Sequence, residues 1–331
     1  MLSANSNIVF LFSGQGSHYR GMGKELYQSN SVFRNSIQRS DRLIYQNIGI
    51  SLIDELYESG DEVFDSILIT HPAIVAIELA MLAVMKSKEI IPAAVAGVSL
   101  GEFSAAVAAG YWSGEEALAT CIEQAKLIAS HVHDGGMTVV IGNKTQKLLD
   151  FMDGKELYDN SINFKGCFTV SGRKTELDKL DNFLGEQGMV YQRLEVEYPF
   201  HSPFLDVAGT FWQHERFDRN PDSSDIKMYS TYLEGLVDNE IPENFFWNVV
   251  SNPFRFPEIV KKMEQDLGSS FYLDLGPSGT MATFMKYNLG AGNDTISESK
   301  PITFLSQHHD ADHRLEQFTR DFIDKRIIEI K

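Results

Sequence analysis

Residues 91–130, "IPAAVAGVSLGEFSAAVAAGYWSGEEALATCIEQAKLIAS", begin with small and β-branched residues, turn tightly at Gly97-Val98-Ser99-Leu100-Gly101, and continue with helical spacing. Such a run reads as a buried strand, a sharp bend and a helix, the unit from which parallel sheets covered on both faces are built. The G-x-S-x-G bend also carries chemistry. It lifts a serine hydroxyl above the end of a strand and aims the N–H groups of the next helix at whatever the serine attacks. Ser99 is therefore a candidate nucleophile, and the Leu100 N–H a candidate oxyanion donor. The pentapeptide alone also reads as a plain tight loop.

Outward from this unit the pattern repeats. "NIVFLFSGQGSHYRGMGKELY" reads as a strand from Ile8 to Phe12, a glycine-rich turn and a helix. "SVFRNSIQRSDRLIYQNIG" has helical spacing, and "THPAIVAIELAMLAVMKSKE" predicts a long helix with Pro72 in its first turn. Near Gly135-Gly136 the pattern changes: "MTVVIG", "SINFKGCFTVSG" and "VYQRLEVEYPF" read as strands, with "TELDKLDNFLGEQG" as an amphipathic helix between the last two. The expectation is an α/β chain. Residues 1–133 and 203–331 form a large subdomain on a parallel sheet, and residues 134–202 form an inserted ferredoxin-like α+β subdomain. The short strand "SSFYLDLG" and the helix "HRLEQFTRDFIDKRI" follow His201.

Composition bounds the function. The 331 residues, 43% of them hydrophobic, supply a sizeable core. The formal net charge of −17 argues against nucleic acid, whose phosphates need clustered Lys and Arg. No window approaches the ~18 consecutive apolar residues of a membrane span. "MLSANSNIVF" does not read as a signal peptide, so a cytoplasmic protein is expected, with no membrane partner. Cys121 and Cys167 are the only cysteines and form no CxxC pair, which fits the same compartment. "HHDADH", residues 308–313, places His309 and His313 one helical turn apart. It reads as a helix start with Asp310 or Asp312 near the N-cap rather than as a metal site, and no metal is expected.

A serine nucleophile needs a base. Of nine histidines, His201 in "YPFHSPFLD" is the best placed, where a strand ends beside a Ser-Pro break. Ser13-Gly14-Gln15-Gly16-Ser17, directly after the first strand, lacks both the Lys of a P-loop and the glycine spacing of a dinucleotide fold. An amide between two glycines can approach a substrate closely, so Gln15 is a candidate for the oxyanion site or for pinning a nearby backbone amide.

"FSGQGSHYRGMGKELY", "HPAIVAIELA", "GVSLGEFSAAVAAG", "VSG", "YPFHSPFLD" and "DLGPSGTMATFM" stand in the order seen in malonyl-CoA:acyl carrier protein transacylases and polyketide synthase acyltransferase domains. The chain resembles that family from Ile8 to about Gln317. The resemblance implies an α/β-hydrolase-like large subdomain with a ferredoxin-like insertion, and a ping-pong mechanism on a Ser–His dyad. Ser99 then resembles the acylated nucleophile and His201 the base and later acid, with Leu100 N–H and Gln15 at the oxyanion. Asn163 matches a cleft-lining Asn of the small subdomain, and Val249 the residue whose carbonyl orients the His. No cofactor is implied, since the acyl group arrives on the phosphopantetheine of acyl carrier protein or of coenzyme A.

Two departures from the family refine the expectation. Val98 stands where the family has a His beside the serine, and Gln124 where malonyl-transferring members have an Arg that binds the substrate carboxylate. Lys126 is about 200° around the helix from Gln124 and is no substitute. The pattern is closest to stand-alone acyltransferase homologues of trans-acyltransferase polyketide synthases. It implies an acyl hydrolase that removes non-carboxylated acyl groups from polyketide synthase carrier proteins. The alternatives are an acyltransferase moving acetyl, malonyl or another acyl group from coenzyme A to carrier protein, and a catalytically silent docking protein.

Overall fold

The computed structural model describes residues 7–60, 64–212, 217–218, 225–237, 240–290, 298–307 and 310–329. In chain order the strands are β1 (Asn7–Phe12), β2 (Ala94–Gly97), β3 (Gly135–Ile141), β4 (Leu157–Phe164), β5 (Cys167–Arg173), β6 (Val190–Arg193) and β7 (Phe217–Asp218). They continue with β8 (Lys227–Ser230), β9 (Gly235–Leu236), β10 (Glu240–Ile241), β11 (Phe254–Arg255), β12 (Ser270–Asp274) and β13 (Lys300–Thr303).

The large sheet has the order β13-β12-β1-β2-β8-β9 and is parallel except for the β8–β9 edge. Its inner strand β1 is apolar from Ile8 to Phe12 because both faces are covered. Phe10 and Phe12 face the larger core with Ile74, Ile77 and Phe103, while Val9 and Leu11 face a second core of Tyr229, Phe256, Met263 and Met281. The main helix of the first core is Ile67–Ser87. It starts five residues before Pro72, so the proline lies inside the helix rather than in its first turn. This helix is also long and apolar enough to cross a membrane, contrary to the expectation that no window comes close. Most of it is buried inside the fold. Its neighbour, Gly114–His131, starts with a reciprocal capping box between Ser113 and Glu116.

The small sheet contains β3–β6, with helices Gln146–Met152 and Lys174–Glu186 in the connections, giving the β-α-β-β-α-β order of a ferredoxin-like unit. The sequence pattern had shown only the second of these helices. A fifth strand, β11, comes from outside the insertion and pairs parallel to β4, Phe254 with Ser161 and Arg255 with Ile162. The insertion is therefore stitched to the main body through a shared sheet.

The C-terminal helix, Ala311–Glu329, starts directly after Asp310, as the sequence reading placed it, with its first N–H groups taken by another residue. The carboxylate of Glu25 accepts from the N–H groups of Asp310, Ala311 and Asp312, so the cap comes from across the fold rather than from Asp310 or Asp312. His308 and His309 lie outside the described residues.

Three buried carboxylates fasten the loops at the C-terminal edge of the large sheet. Glu78 accepts from Ser13 N (2.7 Å) and Oγ (3.1 Å) after β1. Glu102 accepts from Thr231 N (2.9 Å) and Oγ1 (2.6 Å) after β8. Asp274, ending β12, accepts from Gly276 N and Ala282 N (both 2.9 Å). Burial outweighs these hydrogen bonds and raises the acids, Glu78 to about 8, Glu102 to about 7 and Asp274 to about 6. Because Glu78 holds its proton more tightly folded than unfolded, its contribution is complete below its ordinary value of 4.5 and is lost as pH rises through about 8. The thermal midpoint of Glu78→Gln, measured against wild type from pH 6 to pH 9, should therefore gain on wild type as pH rises.

Candidate active site

The site sits where β1 and β2 end side by side. Ser99 follows β2 with φ of 54°, and the helix Gly101–Ala109 begins two residues later. A non-glycine residue at positive φ is a strained elbow, maintained here by close packing. A Cβ on Gly101 would overlap the Phe12 carbonyl, and one on Gly97 would overlap the Gly101 backbone. Gly14 lies against the same bend, where a Cβ would be 2.8 Å from Val98 O and 3.5 Å from Leu100 N. The loop bearing Gln15 therefore touches the elbow bearing Ser99.

The cavity above the elbow has a volume of about 140 Å³ and is lined by Gln15, Val98, Ser99, Asn163 and His201, among others. Ser99 and His201 face this space from opposite subdomain margins, and no direct hydrogen bond joins them. His201 Nδ1 lies 2.8 Å from the carbonyl oxygen of Asn252. A carbonyl only accepts, so Nδ1 carries the hydrogen and the neutral ring has its lone pair on Nε2. The orienting carbonyl is thus Asn252's rather than Val249's. Asn252 follows the last residue of helix Phe245–Ser251 with extended backbone, while the Val250 carbonyl receives the His201 backbone N–H at 2.9 Å. Burial lowers His201 to about 4, and the bond to Asn252 offsets only part of this shift.

His201 also has positive φ, 57°, and its loop is tied to both subdomains. The Phe200 carbonyl accepts from Asn160 Nδ2 at 3.0 Å and Ser171 Oγ at 2.6 Å, both in the small sheet. Asn163 lines the cavity, and its carbonyl accepts from Asn288 Nδ2 of the large subdomain at 2.8 Å. Gln15 Nε2 donates to Thr70 Oγ1 at 3.0 Å, and its Oε1 is buried without a partner. Leu100 is fully buried at the head of its helix.

Gln124 does not line the cavity. It is 1% exposed, and its Nε2 donates to the Phe246 carbonyl at 2.7 Å, beside the stacked Trp112 and Phe246 rings. Its amide is committed to holding helix Phe245–Ser251, the helix that leads to the Asn252 carbonyl. Lys126 points elsewhere, donating to Asn47 O.

The sequence reading missed His71. It lines the cavity, is 1% exposed, and packs edge-on against Phe200 at 5.2 Å. Burial, with a smaller repulsion from His18, lowers it to about 3, so it is neutral, and its Nδ1 has no partner. The only available signal was a His one residue before the Pro of a core helix.

A fold of this kind, with a serine elbow and a histidine facing one cavity, defines an acyl-transfer scaffold. The chain belongs to the acyl transferase domain family, whose model matches residues 9–321. It is 38% identical over 289 residues to the "Polyketide biosynthesis acyltransferase homolog PksD" of Bacillus subtilis, covering 85% of this chain and 87% of that one. Identity to the homolog BaeD of Bacillus velezensis is 34% over 295 residues, with 87% and 90% covered. Among solved structures, the acyltransferase domain from module 8 of the salinomycin polyketide synthase superposes with a TM-score of 0.82 at 22% identity, covering 95% of this chain and 74% of that one. The malonyl CoA-acyl carrier protein transacylase of Clostridium perfringens gives 0.76 at 19% identity, covering 98% and 100%.

Two substitutions probe the local construction. Gly101→Ala should displace the elbow and remove labelling of Ser99 by a serine-directed phosphonate, checked by intact-protein mass. Gln124→Leu should cost about 1–3 kcal/mol by removing the donor to Phe246 O, read by denaturant unfolding.

Proposed function

We propose that the protein is a thioester hydrolase that removes short, uncharged acyl groups from acyl carrier proteins of a polyketide synthase, through an acyl-Ser99 intermediate. One observation carries the substrate class: among the described residues lining the Ser99 cavity there is no Lys or Arg, and the walls include Val98, Met137, Leu194, Phe254 and Met281. A malonyl carboxylate would be buried there without a counter-charge, at a cost of about 3–5 kcal/mol, or more than a hundredfold in binding. The cavity is also small, about 140 Å³.

In this reading Ser99 Oγ attacks the thioester carbonyl carbon while His201 Nε2 takes the hydroxyl proton. The Leu100 N–H stabilises the oxyanion, with Gln15 beside it. Collapse breaks the C–S bond, and the proton on His201 passes to the departing phosphopantetheine sulfur. Water then attacks the acyl ester with His201 again as base, releasing the free acid and restoring Ser99.

Transfer to a second carrier is the competing reading, and family membership supports it. The relatives named as polyketide biosynthesis acyltransferase homologs support the pathway. An acidic carrier meeting a chain of net charge −17 must use local basic residues, so turnover should weaken with salt.

Single-turnover mixing with acetyl- and malonyl-loaded carrier protein tests this reading. Free acetate should appear at the rate of acyl loss, with malonyl at least about a hundredfold slower. Acylation of Ser99 without free acid would replace hydrolysis by transfer, and failure of Ser99 to acylate at all would leave a docking protein. The acylation rate of free enzyme should be flat from pH 6 to pH 8 and fall as pH drops through about 4, where His201 gains its proton. A fall centred near pH 6.5 would show that His201 is not desolvated.

A further inference from the structure

A second cavity, larger than the one above Ser99, lies elsewhere. It has a volume of about 590 Å³, lies among helices Ser31–Ile48, Ile67–Ser87 and Gly114–His131, and shares no lining residue with the Ser99 cavity. His71 and Lys86 mark the two sites on one helix and are about 22 Å apart at ~1.5 Å per residue. The second cavity therefore belongs to the opposite end of the large subdomain.

Its lining is unusual for so acidic a chain. Arg39, Arg42 and Lys86 converge on it, against the single carboxylate of Glu115. Among the described residues, none of these three cations has an ion-pair or hydrogen-bond partner. Some other cations are matched, Lys144 with Asp159, Arg173 with Glu156, and Arg193 with Asp178 and Asp181; what sets Arg39, Arg42 and Lys86 apart is that they line one concavity. With 46 acids and 29 bases in the chain, a lining of three cations and one acid runs against the overall balance. Partial burial also holds Lys86 below the usual lysine range. Leu43, Leu79, Leu82, Val107 and Leu118 complete an apolar wall beside the charges. The adjacent helix start is already closed by the Ser113–Glu116 box, so the positive character comes from side chains.

We propose that this cavity is a second binding site, for a small molecule with a phosphate or carboxylate head on an apolar body, its head held by Arg39, Arg42 and Lys86 and its body by the leucine wall. Planar guanidinium forks suit both oxyanions, and the apolar wall adds affinity that a bare inorganic ion cannot use. The site is independent of the chemistry at Ser99.

Calorimetric titration of the full chain with octyl phosphate, octanoate and octanol tests the proposal, using the Ser99→Ala protein alongside wild type. At least one anionic probe should bind both proteins alike and at least about tenfold more tightly than octanol. Arg39→Ala/Arg42→Ala, two changes at exposed positions, should weaken it about tenfold or more, and raising salt from about 50 to about 500 mM should weaken it several-fold. Preference for octyl phosphate identifies phosphate esters as the source of the head, and preference for octanoate identifies carboxylic acids. Equal binding of octanol, indifference to the arginine substitutions, or loss of binding once Ser99 is blocked by a phosphonate would each overturn the site. So would failure of both anions to bind while an acidic carrier protein binds in an Arg39- and Arg42-dependent way, because the surface would then be a docking face.

Discussion

The ends of β1 and β2 lie too close together for side chains to intervene, and the site is built on that constraint. Gly101 must pass the Phe12 carbonyl and Gly14 must pass Val98 O, so both positions are closed to a Cβ. The crowding holds Ser99 at positive φ and brings the Gln15 loop against the elbow. The first N–H groups of helix Gly101–Ala109, those of Gly101, Glu102 and Phe103, close the bend by bonding back to the carbonyls of Val98, Ser99 and Leu100. Buried Glu78 and Glu102 clamp the adjoining segments at Ser13 and Thr231, so the edge is rigid before any substrate arrives.

Much of this was legible in the sequence because it depends on local pattern. The apolar run Ile8–Phe12, the small residues before Ser99 and the glycines around it specify strand, bend and helix with little help from the rest of the chain. The alternation after Gly135 likewise revealed the inserted sheet. What escaped were features set by long-range contact. Strand β11 is two residues long and exists because β4 offers an edge. The cap on the C-terminal helix is supplied by Glu25, 285 residues away from Asp310.

The same division applies within the site. Ser99 and His201 could be singled out from their own neighbourhoods, whereas the partner of His201 depends on where a separate helix ends, and Asn252 rather than Val249 supplies it. Gln124 shows the converse. Counting along a helix gives its number, but its side chain turns to the Phe246 carbonyl instead of the cavity. The expectation of an uncharged acyl group then rests on the walls of the cavity itself. His71 went unseen because a histidine in an apolar core helix looks like packing until the opposite wall is known.

The loop that carries His201 is anchored on two sides. Asn160 and Ser171 of the small sheet hold the Phe200 carbonyl, and Val250 and Asn252 of the large body hold the His201 backbone and ring. Ser99 has no such dual allegiance, since it belongs wholly to the large sheet. The alignment of the pair is thus a gauge of how the two subdomains sit together. A displacement of the small sheet against the large one would therefore reach His201, through the Phe200 carbonyl, before it reached Ser99.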